Sequence, residues 1–410
     1  MTISFLRAAA LAAAWLPALV AAAPLSLDQA LSLAVQRSEA ARAGRVAAQG
    51  AIESSRAAGQ LPDPVLSAGI DNLPITGPDR LSTTRDSMTM KRVGISQEWL
   101  PADKRAARES AARAMAQRDQ TQAAAAEAEA RMQAATAYAE AWYAGEAMKL
   151  TAQAEHHLRE ELVAARGRLP TPAGSSAEVL QLSTAQGMAE DESAKAGQQQ
   201  ANALNALQRW VGSRPEALAA PPAFTLATEA DYVARHPAVA LLRSDVDVAR
   251  GNATVAAQER RANWTWTASY GQRTGYSDML SVGVSIPLQI APAQRQDRET
   301  AARLALVEKA EAELAEAIRA ATAEYQALSS DAERLGQRIA RYDIAIAAPA
   351  RQRTEAVLAA YRSNQATLST VFEARHQELE VQRKRLTLQR ELARVQAQLA
   401  LKPLAEGAAL

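Results

Sequence analysis

The stretch NWTWTASYGQRTGYSDMLSVGVSIPL, residues 263–288, decides how the rest of the chain is read. In its first part Trp264, Trp266, Ala268 and Tyr270 alternate with Thr265, Thr267, Ser269 and Gly271. In its second part Leu280, Val282, Val284, Ile286 and Leu288 alternate with Ser281, Gly283, Ser285 and Pro287. Strict period two, apolar on one side and small or polar on the other, predicts two strands, 263–272 and 279–288, that separate two media. The intervening Arg273-Thr-Gly-Tyr-Ser-Asp278 supplies the turn. Upstream, 64–72 and 88–99 carry a weaker version of the pattern across a polar loop with Pro74, Gly77 and Pro78. The outward set there is Val93, Ile95 and Trp99.

Away from these strands the chain reads as helix. Ala102 to Leu169 contains no proline, and as a helix would run about 100 Å. Further proline-free runs cover 173–214, 238–286, 293–348 and 350–402. Helices this long need long neighbours to bury a face. Near the C-terminus Val381, Leu388 and Val395 recur at seven-residue spacing, with Leu392 and Leu399 interleaved, a coiled-coil seam. Leu304, Val307, Leu314, Ile318, Tyr325 and Leu328 make a second stripe. Composition agrees: 410 residues carry 4% aromatics and three Phe, too few large side chains for an ordinary core of this size. Forty-six basic and 45 acidic residues leave a net charge of +1, which favours neither nucleic acid nor an anionic surface. With no cysteine there are no disulfides, thiolate sites, Cys nucleophile or N-terminal lipid-bearing Cys.

The two halves are related. Arg105-Ala-Ala-Arg-Glu-Ser-Ala-Ala-Arg113 recurs as Arg295-Gln-Asp-Arg-Glu-Thr-Ala-Ala-Arg303, identical at six of nine positions. Ahead of each copy stand Val93-Gly-Ile-Ser96 and Val282-Gly-Val-Ser285. The chain therefore divides into a first repeat over 23–215, a second over 216–403 and a tail over 404–410. Each repeat runs helix, strand, strand, very long helix, reversal, returning helix. The reversals fall at 167–176, with Gly167 and Gly174, and at Ser363-Asn364. Residues 1–22 read as a secretory signal peptide, with Arg7, an apolar run, Val20 at the −3 position and cleavage after Ala22.

An exported chain with four amphipathic strands cannot close a barrel alone, and open sheet edges are not tolerated in lipid. Three copies supply twelve strands, enough to enclose a channel. Trp99, Trp264, Trp266, Tyr270 and Tyr276 sit in or beside the strands, as membrane-interface girdles require. The fold class expected is mainly α with a small β part: a coiled-coil helical barrel plus four strands per chain, forming a twelve-stranded transmembrane β-barrel as a homotrimer. The expected location is the outer membrane, with a long periplasmic extension and no lipid anchor.

This layout resembles the TolC-like outer membrane factors, the exit ducts of tripartite efflux pumps. The marks are the duplication, LSLDQALSLAVQRS at 25–38, and Pro349 followed by Tyr361-Arg-Ser-Asn-Gln365. The segment TRDSMTMKRVGISQEWLPADKR (84–105) is most similar to the heavy-metal, CzcC/CusC-like branch. Asn364 departs from the family's common Gly at the second reversal, but Asn also tolerates the left-handed conformation. The resemblance implies a passive duct for heavy-metal cations, with a periplasmic adaptor and an inner-membrane RND-type pump as partners, outer membrane lipid around it, and no enzyme activity or cofactor. It places a periplasmic gate at Thr370 and Glu373. Thr370 is no carboxylate, and Glu178 at the matching place in the first repeat is the substitute charge. Arg168, Arg362 and Arg375 are the candidate partners of those charges. The reversals at Gly167, Gly174, Ser363 and Asn364 would dock the adaptor. Drugs or a secreted polypeptide remain alternative cargoes, and a periplasmic adaptor or a structural coiled coil are alternatives of another class.

The residues themselves show no G-x-S-x-G, phosphate-binding loop or H-E-x-x-H. His156 and His157 point about 100° apart on a helix and read as solvated face. Met88 and Met90 read as sharing a strand face, and soft thioethers suit copper(I) or silver(I), against a plainer role in packing or at the barrel rim.

Overall fold

The computed structural model describes residues 23–171 and 174–405. The proposed leader, 1–22, lies outside the described residues, as do 406–410. Helix α1 (Leu27–Arg37) starts at Ser26, whose hydroxyl accepts from the Gln29 N–H while the Gln29 side chain accepts from the Ser26 N–H. This reciprocal cap satisfies two otherwise orphaned donors. Ser38 ends α1 and caps α2 (Glu39–Ala58). Strands β1 (Val65–Asp71) and β2 (Met90–Trp99) follow, then α3 (Ala102–Arg168) and the returning α4 (Ser176–Val211). After the short α5 (Glu229–Ala234) the order recurs: α6 (Pro237–Gln258), β3 (Trp264–Gln272), β4 (Met279–Ser285), α7 (Gln296–Arg341), α8 (Ala348–Arg362) and α9 (Leu368–Leu401). A 3-10 turn, Pro292–Gln294, precedes α7, and a π segment, Tyr342–Ala347, joins α7 to α8.

That π segment has a local cause. Pro349 has no N–H, and in a regular helix its ring would meet the carbonyl four residues back. The wider π turn just before it relieves the conflict without ending the helix. Counted through the π segment, the second long helical stretch runs 296–362, and α3 alone runs 102–168. Both extend about 100 Å.

The helices form a wall and not a globule. Helix α3 packs against α2, α4, α6 and α9, and α7 packs against α6 and α9. Alanine makes the close approaches possible. A Cβ placed on Gly44 would lie 3.0 Å from the Ala123 Cα, and one on Gly251 would lie 3.0 Å from the Ala111 Cα. The packing is therefore distributed over separate clusters along the wall. One gathers Leu27, Tyr138, Leu207 and Val211; another, Leu162, Leu182, Leu368 and Val371; a third, Tyr232, Leu335, Leu388 and Leu399. Leu404, read from the sequence as the start of a tail, is 1% exposed, and its N–H donates to the Arg235 carbonyl.

The four strands form one antiparallel sheet in the order β1-β2-β3-β4. Predicted and observed limits differ by more than one residue at two ends. Residues 286–288 leave the last strand, where Pro287 has no N–H to give an edge. Met88 falls outside β2, because its N–H donates to Asp86 Oδ1 at 2.6 Å in a local turn. The shared strand face read for Met88 and Met90 is thereby corrected: Met90 is the first residue of β2, and Met88 is an exposed loop residue.

Candidate functional site

The sheet has two unlike faces. Its register sets Leu66, Ile95, Ala268 and Val282 in one row, and Ala68, Val93, Tyr270 and Leu280 in the next-but-one. The intervening row is Ser67, Gly94, Ser269 and Ser281, on the opposite face. Leu66, Leu280 and Val282 are 75%, 75% and 74% exposed on a single chain. An apolar face this open needs a cover. Among the described residues the two outer strands, β1 and β4, also have one unpaired edge each.

Aromatics mark both ends of the apolar face. Trp99 and Trp264 pair in register with ring centroids 6.0 Å apart, and Trp266 follows on β3. Tyr270 lies six residues along the strand, about 20 Å away. Its hydroxyl donates to Asp278, and the Arg273 guanidinium stands 5.7 Å from the Tyr276 ring centroid across the turn. On the other face Arg92 pairs with Asp71 at 3.1 Å.

At the joint between strands and helices a polar cluster ties the two halves together. Lys104 is 1% exposed, and its ammonium donates to Glu259 at 2.8 Å and Asn263 at 2.9 Å. Asn263 donates to Glu98 at 2.7 Å, and Arg108 donates to Glu259 at 3.2 Å. Burial pushes the Glu259 carboxyl up, but Lys104 and Arg108 together outweigh it and hold the group below the usual carboxylate range. The sequence reading missed this cluster, since its members are up to 165 residues apart.

The far end of the wall carries the reversals. Helix α3 stops at Arg168, and Gly174 comes so close behind it that a Cβ would lie 2.4 Å from the Arg168 carbonyl oxygen. Gly167 by contrast is an ordinary helical residue with open space around it. Ser175 caps α4 by accepting from the Glu178 N–H at 3.4 Å. At the second reversal Asn364 adopts φ +60°, the left-handed conformation, and Gln365 N–H closes onto the Ala360 carbonyl at 2.8 Å. Ser363 donates its hydroxyl back to Ala359 and Ala360. Thr367 caps α9, and its hydroxyl lies 2.8 Å from that of Thr370, so Thr370 is part of a helix cap.

Among the charges expected at a gate, the structure joins one pair. Arg168 lies 3.6 Å from Glu178, and its guanidinium also stands 5.6 Å from the Tyr361 ring centroid, so it links α3, α4 and α8. Its Nε and one terminal nitrogen are buried without a hydrogen bond. Arg375 is directed instead to Glu161 on α3, whose side chain is 7% exposed. Arg362 and Glu373 are exposed and form no ion pair among the described residues.

The histidines do not converge. His156 and His157 both approach Glu160, at 3.3 and 3.5 Å, and His376 stacks on Phe372 at 6.0 Å. His236 is buried between α5 and α7. No group of three or more His, Asp or Glu among the described residues is arranged to hold a metal ion.

Comparison with known proteins places this architecture. The chain aligns with the crystal structure of the outer membrane protein VceC from Vibrio cholerae at a TM-score of 0.73 and 19% identity, over 92% of this chain and 96% of that one. It aligns with CusC, in structures concerned with folding and transmembrane channel formation, at 0.76 and 16%, covering 92% and 91%. The open state of the Neisseria gonorrhoeae MtrE outer membrane channel gives 0.72 and 17%, covering 92% and 88%. The chain has the fold of these outer membrane channels. No protein-family profile matches it, and no curated protein matches it in sequence.

Proposed function

We propose that three copies of this chain form an outer membrane exit duct of a tripartite efflux system. The supporting observation is the sheet: an open, two-edged antiparallel sheet with one strongly exposed apolar face, continued by helices about 100 Å long. Twelve strands from three chains pair the free edges and bury the apolar faces in lipid. The Trp99, Trp264 and Trp266 cluster and the Tyr270 and Tyr276 end stand at the two membrane interfaces. The helical wall then continues into the periplasm as a tunnel, and a periplasmic adaptor docks on the reversals beside an RND-type pump. Passage through the duct is passive.

The gate lies at the reversals. Arg168 ties the two reversals together through Glu178 on α4 and Tyr361 on α8, and Glu373 on α9 presents an unpaired carboxylate beside the second reversal. Three copies of either carboxylate around a narrow axis attract cations and repel one another; Arg168 offsets this repulsion at Glu178, while Glu373 keeps its charge. Sliding of the α8–α9 hairpin against α3, driven by the docked adaptor, opens the end.

For cargo we favour heavy-metal cations, on the resemblance of residues 84–105 to the heavy-metal branch. CusC and MtrE share this fold, so the fold itself does not choose a cargo. Deleting the gene in its host tests the reading. Sensitivity confined to copper, silver, zinc or cobalt supports the metal duct. Broad sensitivity to drugs discards the metal cargo and keeps the duct, and unchanged sensitivity to all of these contradicts an efflux role.

A further inference from the structure

The apolar face of the sheet carries one charge. Along β2 the alternation sets Lys91, Val93, Ile95 and Trp99 on the same face as Tyr270 and Leu280. Of the β1–β4 residues on that face, Lys91 alone is charged. Its neighbours in the row are Ile70 on β1 and Gln272 on β3, and neither answers its charge. Lys91 is exposed, and its ammonium has no ion-pair or hydrogen-bond partner among the described residues. The other groups at this end of the sheet are engaged. Arg92 pairs with Asp71 on the opposite face, and Arg273 donates to the Ser277 carbonyl at 3.1 and 3.0 Å. Asp278, at the head of β4, accepts from the Tyr270 hydroxyl and the Arg273 N–H.

Position along the strand gives the unpaired ammonium its surroundings. Lys91 stands eight residues before Trp99 on β2, about 27 Å along the strand. The stretch from Lys91 to Trp99 is as long as the roughly 9–11 residues with which a tilted strand crosses a bilayer. Tyr270 pairs with Val93, so Lys91 lies just beyond the tyrosine. The long helices leave the sheet at the Trp99 end. In the duct proposed above, on which this inference rests, Lys91 therefore stands at the headgroups of the outer leaflet. A lysine at such a boundary keeps its stem on apolar surface and carries its ammonium to the polar level. There the anion within reach is a lipid phosphate, and the contact is charge-assisted. We propose that Lys91 is a binding point for the anionic phosphate of an outer-leaflet lipid, whose acyl chains pack on Ile70 and Val93. Three copies of the chain carry three such points around the rim.

The test mixes the purified, detergent-solubilised protein with diphosphoryl lipid A, and separately with zwitterionic phosphatidylcholine, and counts retained lipid by native mass spectrometry. The wild type is expected to retain lipid A saturably, up to about one per chain, at least fivefold more tightly than phosphatidylcholine. Lys91→Gln weakens lipid A retention at least fivefold and leaves phosphatidylcholine retention unchanged, while Lys91→Arg keeps both. Should Lys91→Gln fail to fold, Gln272→Glu decides, because it leaves Lys91 in place and sets a carboxylate next to it on the same face; lipid A retention falls if the site is correct. Equal retention of the two lipids, unchanged lipid A retention in folded Lys91→Gln or in Gln272→Glu, or displacement of lipid A by inorganic phosphate each overturns the proposal. Flotation of the wild type with phosphatidylcholine vesicles separates this result from the duct reading. A protein that does not insert loses both, whereas an inserted protein whose lipid retention ignores Lys91 loses only the lipid site.

Discussion

His236 sits where the end of α9 meets the helical wall. It precedes α6, is 8% exposed, and its Nε2 lies 3.4 Å from the Glu324 carboxylate on α7. Glu324 already accepts from the Tyr232 hydroxyl at 3.0 Å and from Lys402 at the end of α9. Burial lowers the His236 pKa, Lys402 lowers it further, and Glu324 partly opposes them. A histidine whose folded pKa lies below its unfolded value of about 6.5 stabilises the fold above that pH and loses the contribution as pH falls. Thermal stability is therefore expected to drop between pH 7.5 and 5.5, by at most about 1.4 kcal/mol per pH unit from this group. His236→Gln should flatten that slope; an identical slope in the variant would show that the group is not responsible. At this scale the sequence was legible where the signal is local. Arg168 and Glu178 flank one reversal and do meet. Arg375 lies near the second reversal in sequence, but its partner Glu161 is 214 residues away on another helix, and nothing local announces that pairing.

Among the elements, the strands were the most legible, because period two survives any tertiary context. The predicted segments 64–72, 88–99, 263–272 and 279–288 correspond to β1–β4 within a few residues. The misses are equally physical: Asp86 captures the Met88 N–H, and Pro287 starves an edge. The interruption of the second long helix was half legible, since Pro349 is visible in the sequence but the π turn that absorbs it is not. The two faces of β4 give an element-scale prediction. Val282→Arg puts a guanidinium on the apolar face and is expected to cost about 2–4 kcal/mol in a lipid-embedded barrel. Ser281→Arg, one residue along and on the opposite face, should fold normally and alter ion selectivity. Heat-modifiable gel mobility and refolding yield in liposomes report the first effect. Equal tolerance of both substitutions would mean that the apolar face does not meet lipid.

For the whole molecule, what was legible was the plan, and what was not was the set of contacts that holds it. Two helix–strand–strand–helix–helix passages follow from proline placement and apolar period. The Lys104 cluster that joins them at the root of the sheet depends on how the halves pack. In the proposed duct, further copies of the chain close the open sheet edges and help cover the exposed apolar face. That assembly is the central claim, and single-channel recording of the purified protein in planar bilayers tests it most directly, with Glu178→Ala and Glu373→Ala beside the wild type. The expected result is small, cation-selective steps in the wild type that enlarge or lose selectivity in the variants. Variants indistinguishable from wild type would remove Glu178 and Glu373 from the gate, and the absence of any conductance from folded, membrane-inserted assemblies would contradict the duct itself.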